Sequence, residues 1–325
     1  MQRSVFRNLA ALALTATFAG NALAAGYPDK PITFIVPSAA GGSPDVLSRL
    51  ITTQLSRDTG ATLVVENRPG AAGNIGIALV KRAAADGYTV GYGNINTLAV
   101  NRSLFKRLPY DVDKDLTPVA HMFDLYNALI VPADSPVKSV QDLIDRARKE
   151  PGRLSYGASG VGTTGHMGGE LFKSMAKVDV MFIPYNGGPA AIQDLLGGRL
   201  DYLFVNTSEA APLVKSGKVR AIGVSSLKRL SLMPDVPTLD EAGLKGYETV
   251  AWGGVVAPKG TPPDVVAKLN ADIQKALQAP DVRTGLETLG AVPATGTPEE
   301  FKQLIDRETA KWQQIIETAG IEKLD

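Results

Sequence analysis

Between Ile32 and Leu50 the chain reads ITFIVPSAAGGSPDVLSRL, three local signals in immediate succession. Ile32-Thr33-Phe34-Ile35-Val36 is apolar and β-branched, the pattern of a buried strand, and Pro37 ends it. Ser38-Ala39-Ala40-Gly41-Gly42 carries almost no side chain, so a ligand could approach its backbone N–H groups closely. Ser43 is placed to cap a helix, with Pro44 at the first helical position and Asp45-Val46-Leu47 opening it. A strand delivering a glycine turn to a helix N-terminus aims free N–H groups and the positive end of the helix dipole at one point. The turn reads either as an anion seat or as a plain βα connection, and this stretch alone leaves both open.

The same unit recurs down the chain, which places it among α/β proteins. Thr62 to Val65 reads as a second strand, followed by a glycine turn from Asn67 to Asn74, with Asn74 as cap of a helix to about Ala85. Tyr88 to Tyr92 is a third strand, whose end offers polar groups, Asn94 and Thr97 among them, near the first loop. Asp111 to Pro118 reads as irregular, and Val119 to Val131 as an extended crossover before a helix from Val140 to Lys149. From Gly152 the alternation begins again. Leu154 to Gly157 runs into Ser159-Gly160-Val161-Gly162-Thr163-Thr164-Gly165-His166 and a helix. Val180 to Ile183 ends in Pro184-Tyr185-Asn186-Gly187-Gly188, and Tyr202 to Val205 ends in Asn206-Thr207-Ser208. Ala221 to Val224 closes the unit, and two C-terminal helices, Pro263 to Leu277 and Pro298 to Ala319, return to the first. The expected division is residues 25–123 with 255–325 as domain I and 124–254 as domain II, with crossovers near Asp124 to Ala128 and Val250 to Gly254.

The first 24 residues have a different character. Arg3 and Arg7 precede the apolar run Leu9 to Ala19, and Ala22-Leu23-Ala24 is a small-x-small site. This is the pattern of a secretory signal peptide cut after Ala24, which implies export of the mature chain. Removing Arg3 and Arg7 takes the net charge from +1 to −1 and leaves no basic cluster, which argues against a nucleic-acid partner. The chain has no cysteine and only two histidines, His121 and His166, without ligand spacing, so neither a thiol nucleophile nor a zinc site is expected.

Residues 159–166 match two motifs that the surroundings disfavour. Gly160-x-Gly162-x-x-Gly165 follows a strand and opens a helix, with Asp179 about 20 residues on, as in a dinucleotide fingerprint. The acid of that fingerprint belongs at the C-terminal end of the next strand, whereas Asp179 precedes Val180 to Ile183. A serine hydrolase using Ser159 and His166 would need a Gly-x-Ser-x-Gly elbow, which is absent. The remaining reading is a second anion seat built from Ser159, Gly160, Gly162, Thr163 and Thr164. Thr163 or Thr164 would cap the helix, and His166 would either hydrogen-bond locally or line the site. Neither seat contains Lys or Arg, so binding would rest on N–H groups, hydroxyls and helix dipoles, each dipole worth roughly 0.3–1 kcal/mol when exposed.

Several segments together resemble one family. Pro31-Ile32 through Pro37, Gly41-Gly42-x-x-Asp45 and Val65-Glu66-Asn67-x-Pro69-Gly70-Ala71-x-Gly73-Asn74-Ile75-Gly76 are similar to the Bug family, the solute-binding proteins of tripartite tricarboxylate transporters. Tyr156-Gly157-x-Ser159-Gly160-x-Gly162-Thr163, Pro184-Tyr185-x-Gly187-Gly188, Pro234 to Thr238, Ala257 to Pro263 and Trp312 extend the likeness over the mature chain. The resemblance implies a type II periplasmic binding fold of two α/β lobes, without cofactor or catalysis. It implies that a small organic carboxylate is gripped by Ser38 to Gly42 and by Ser159 to His166, with Asp45, Asn94, Thr97, Tyr185, Asn186, Gly187 and Asn206 around it. The implied partners are the membrane subunits of the transporter, and the protein is expected to be a monomer. A sensory binding protein reporting to a membrane receptor would share this fold, and an enzyme acting on a small acid is the more distant alternative. Ser38 stands where relatives commonly carry an aromatic residue. Val205 stands where many have an acid, which disfavours an amino-acid ligand unless Asp201 or Glu209 substitutes.

Overall fold

A computed structural model describes residues 26–185, 187–318 and 320–325 of the chain. The signal-peptide expectation for residues 1–24 lies outside them. Three parallel strands, β1 (Ile32–Val36), β2 (Leu63–Asn67) and β3 (Thr89–Asn94), run in the order β2-β1-β3. The continuous apolar run of β1 is explained by its central position, buried on both faces. Helix α1 (Ser43–Thr59) follows β1 and helix α2 (Asn74–Arg82) precedes β3.

Two long antiparallel strands join this sheet to the rest. β4 (Leu116–Pro132) spans 17 residues, so the stretch expected to be irregular before Pro118 is already strand, preceded by a four-residue helix, Val112–Asp115. Up to Tyr126, β4 pairs with β9 (Val250–Pro258), which in turn pairs with β3. From Asn127 onward the same strand pairs with β7 (Tyr202–Asn206) and β8 (Val219–Val224). Changing partners at Tyr126/Asn127 lets one strand belong to two sheets. Ser225 ties this point down: its hydroxyl accepts from Asn127 N–H at 2.9 Å and donates to Thr249 O at 2.6 Å.

The second sheet continues β7-β5-β6, with β5 (Ser155–Ala158) and β6 (Met181–Pro184) parallel to each other and β5 parallel to β7. Its helices are α3 (Val140–Lys149), α4 (Thr164–Ala176), α5 (Gly188–Leu196) and α6 (Thr207–Lys215). The chain then adds α7 (Pro263–Gln278), α8 (Pro280–Thr288), the short strand β10 (Ala291–Pro293) on β4, and α9 (Pro298–Thr318). Helix α8 and strand β10 had no expectation in the sequence, because a nine-residue helix behind Pro280 carries little periodic signal.

Each sheet is covered on both faces. One apolar cluster of the first sheet unites Phe34, Leu47, Phe123 and Leu269, and the other unites Ile77, Leu98, Trp252 and Trp312. In the second unit Tyr156, Phe172 and Tyr202 fill one side, and Ile130, Leu195 and Val205 fill the other. Trp252 and Trp312 are both fully buried, and Trp252 meets Phe301 edge-on at 5.7 Å.

Candidate functional site

The parallel strands decide where chemistry can gather. β1, β2 and β3 end together at Val36, Asn67 and Asn94, so the loops after them share one edge of the first sheet. β5, β6 and β7 end together at Ala158, Pro184 and Asn206, which brings the N-termini of α4, α5 and α6 to one edge of the second. In open α/β sheets, ligands bind beyond such carboxyl ends.

In the first loop the helix cap is Gly42 rather than Ser43, which is already helical. No side chain bonds the cap directly, and Asp45 takes over that task from the first turn. One carboxylate oxygen of Asp45 accepts from Gly41 N–H at 2.8 Å, and the other from Arg49 Nε at 2.8 Å and Asn67 Nδ2 at 3.0 Å. Burial opposes ionisation of Asp45, yet the Gly41 and Asn67 hydrogen bonds and the Arg49 guanidinium hold its pKa below the usual carboxylate value. Asp45 therefore shapes the loop with both oxygens engaged inside the chain. Gly41 (φ +79°) has its N–H engaged too, while among the described residues the N–H groups of Ala39 and Ala40 have no partner. Ser38 donates no hydrogen bond either: its Oγ is buried without a partner, although its carbonyl accepts from Asn67 at 3.2 Å.

The neighbouring loops brace this one. Gly73 (φ +89°), not Asn74, caps α2, and the Asn74 side chain instead accepts from Asn101 at 2.7 Å and the Tyr110 hydroxyl at 2.8 Å. A β-carbon on Gly76 would fall 2.6 Å from Pro37 Cβ, so the missing side chain lets α2 press against the start of the loop. Asn94 and Thr97 bond one another through Thr97 N–H to Asn94 Oδ1 at 3.0 Å and Asn94 N–H to Thr97 Oγ1 at 3.1 Å.

On the opposite edge Thr163 caps α4: its hydroxyl accepts from His166 N–H at 3.4 Å and donates to Gly160 O at 2.8 Å. Gly162 (φ +77°) donates its N–H to His166 Nδ1 at 3.1 Å. Nδ1 is thus an acceptor and the ring proton sits on Nε2. The imidazole stacks on Phe182 at 4.0 Å, and burial pulls its pKa down to about 4, against a weaker pull upward from Glu170. The ring is therefore a neutral spacer that sets the loop. Ser159 accepts Gly187 N–H on its carbonyl at 3.2 Å, and among the described residues the N–H groups of Gly160 and Val161 remain without partners. Thr164 is buried at the first turn of α4.

Two further candidates, Tyr185 and Asn206, lie on the same edge. The Tyr185 hydroxyl is turned to Asp194 Oδ2 at 2.8 Å. Asn206 accepts from Asn127 Nδ2 at 3.4 Å while serving as the cap position of α6. Asn186 lies outside the described residues.

The two edges meet. Asn96 Nδ2 donates to Gly162 O, and a β-carbon on Gly162 would fall 2.5 Å from Leu104 Cδ2. Met167 of α4 is packed in the same apolar cluster as Leu98, Leu104 and Trp252. Neither Asn96 nor Leu104 was singled out from sequence, because the partner of each lies about 60 residues away and no local pattern announces it. A cavity of about 600 Å³ between Ser226 to Leu232 and Gly290 to Pro293 lies apart from these loops.

Residues 47–321 match the model of the tripartite tricarboxylate transporter family receptor. The chain belongs to this receptor family. BugT of Bordetella pertussis is 34% identical over 307 residues, covering 94% of each chain. The UPF0065 protein in the tcbD-tcbE intergenic region of Pseudomonas sp. strain P51 is 40% identical, covering 94% of this chain and 91% of that one. Among solved structures, R. palustris Rpa4515 with adipate superposes with a TM-score of 0.83 at 38% identity, over 92% of this chain and all of that one. MatC of Rhodopseudomonas palustris with bound malate gives 0.77 at 34%, over 89% of this chain and all of that one. This tripartite tricarboxylate transporter receptor thus shares the two-lobed architecture of periplasmic binding proteins.

Proposed function

We propose that this receptor closes on a small organic carboxylate in the periplasm and hands it to the membrane subunits of a tripartite transporter, without catalysis. The observation that carries this reading is the bond from Asn96, on the segment after β3 at the sheet edge of the first glycine loop, to Gly162 of the second, with each glycine loop at a helix N-terminus. The unpartnered N–H groups of Ala39, Ala40, Gly160 and Val161, with the Ser38 and Thr164 hydroxyls, are the donors assigned to the ligand. Gly41, Gly162, Asp45, Asn94, Thr97 and His166 hold those donors in place. The lobes are assigned as 25–123 with 255–325 and 124–254, in keeping with the change of partner at Tyr126/Asn127. The adipate and malate of the neighbours support a carboxylate. Micromolar affinity requires about 8 kcal/mol, which these uncharged donors supply only if the closed loops exclude water.

The test is a thermal-shift screen of residues 25–325 against mono-, di- and tricarboxylates including adipate and malate. A ligand at about 100 times its Kd should stabilise the chain by roughly 2.7 kcal/mol. No shift with any carboxylate, beside a shift with neutral solutes, would refute the proposal.

A further inference from the structure

Of the three helix N-termini at the edge of the second lobe, that of α5 is the least able to receive an anion. Gly187 N–H is bonded to Ser159 O, and Pro189, in the first turn, has no N–H to offer. The place beside Gly188 is already filled by a carboxylate of the chain itself. Glu209, in the first turn of α6, lies over Gly188 so closely that a β-carbon there would fall 2.6 Å from each of its oxygens. No Lys, Arg or His of the described residues lies within 4 Å of it. The neighbourhood has a surplus of acceptors, since Asn127 Oδ1 is buried without a donor and Asn206 Oδ1 already receives the Asn127 amide. Burial raises the Glu209 pKa, only partly offset by a hydrogen bond from Asn206 N–H, as expected of an acid lacking a positive partner.

We infer that Glu209 is a specificity-determining residue of the ligand cleft: it repels a second carboxylate at the α5 end and accepts a hydrogen bond from a ligand ammonium there. The inference rests on the carboxylate reading of the cleft. A ligand would then seat its carboxylate on the Ser38 to Gly42 and Ser159 to Thr164 loops and point a cationic end toward Glu209. Like-charge juxtaposition in a closed cleft costs far more than in water, so the discrimination is large enough to measure.

The experiment compares pairs that differ only at the far end, adipate against 6-aminohexanoate and succinate against 4-aminobutyrate, by titration calorimetry at neutral pH. The native chain should favour the amino partner of whichever pair fits by at least about tenfold, and Glu209→Gln should bring that ratio near unity or reverse it. Gly188→Ala, which pushes the carboxylate aside at a residue without positive φ, should move the ratio the same way. A preference for the diacid in the native chain, or an equal ratio in all three proteins, overturns the inference and leaves the carboxylate reading standing. Absence of binding by every member of both pairs and by hexanoate overturns the carboxylate reading, and this inference with it.

Discussion

His166 offers a quantitative test of how the second loop is held. It is 4% exposed, stacked on Phe182, and accepts Gly162 N–H on Nδ1, an arrangement open only to the neutral ring. Its pKa falls from 6.5 to about 4 because burial disfavours the cation, while the unfolded chain takes up its proton near the ordinary value. Between those two values the unfolded state binds more protons than the folded one, so stability rises with pH across the window and is lost as pH drops through it. Between pH 7 and about pH 4.5 the expected loss from this one group is about 2 kcal/mol. Replacing it by Gln, whose amide oxygen also accepts from Gly162, removes the titration. Urea unfolding of both proteins without ligand, at several pH values, gives the difference in ΔG, and carboxylates common to both cancel. The gap between native chain and His166→Gln should shift by about 2 kcal/mol in favour of the variant as pH falls. A gap that stays constant would mean that His166 is not buried neutral, and the account of the loop would fail.

Other perturbations should read out separate parts of the site. Asn96→Ala removes the amide that reaches Gly162 across the cleft, and should weaken ligand binding by about fivefold, a loss of about 1 kcal/mol, with little change in melting of the free chain. Gly162→Ala meets both a positive φ and Leu104, so affinity should fall by roughly tenfold, and adding Leu104→Ala should restore part of it, as titration calorimetry would show. Ser225→Ala leaves Asn127 N–H and Thr249 O without their shared partner, and should cost about 1–3 kcal/mol in urea unfolding. Asp45→Ala frees Gly41, Asn67 and Arg49 together, and should weaken binding by more than tenfold while the melting temperature drops only modestly, since the loop is at the surface.

Residue order alone carried the α/β class, the two-lobed plan and the glycine turns at the helix N-termini. Those follow from short-range rules: β-branched runs, glycines at turns, and hydroxyls before helices. Thr163 as cap of α4 belongs to that group, because a side chain three residues from its N–H partner is a local event. The finer assignments required the tertiary structure. Gly42 and Gly73 displaced Ser43 and Asn74 as caps because Asp45 and Asn101 offered those segments better partners from outside the cap position. The 17 residues of β4 form a single strand only because two sheets compete for its ends, and no window of sequence contains that competition. Asn96 reaches Gly162 across a sequence separation of 66, and Glu209 reaches Gly188 from a different helix. Which N–H groups stay free for a ligand is likewise a matter of what the fold has already bonded. Gly41 and Gly162, the most conspicuous glycines in the sequence, have theirs taken by Asp45 and His166, while Ala39, Ala40, Gly160 and Val161 keep theirs. A backbone donor looks the same in every residue, and only the chain folded around it decides whether it is satisfied.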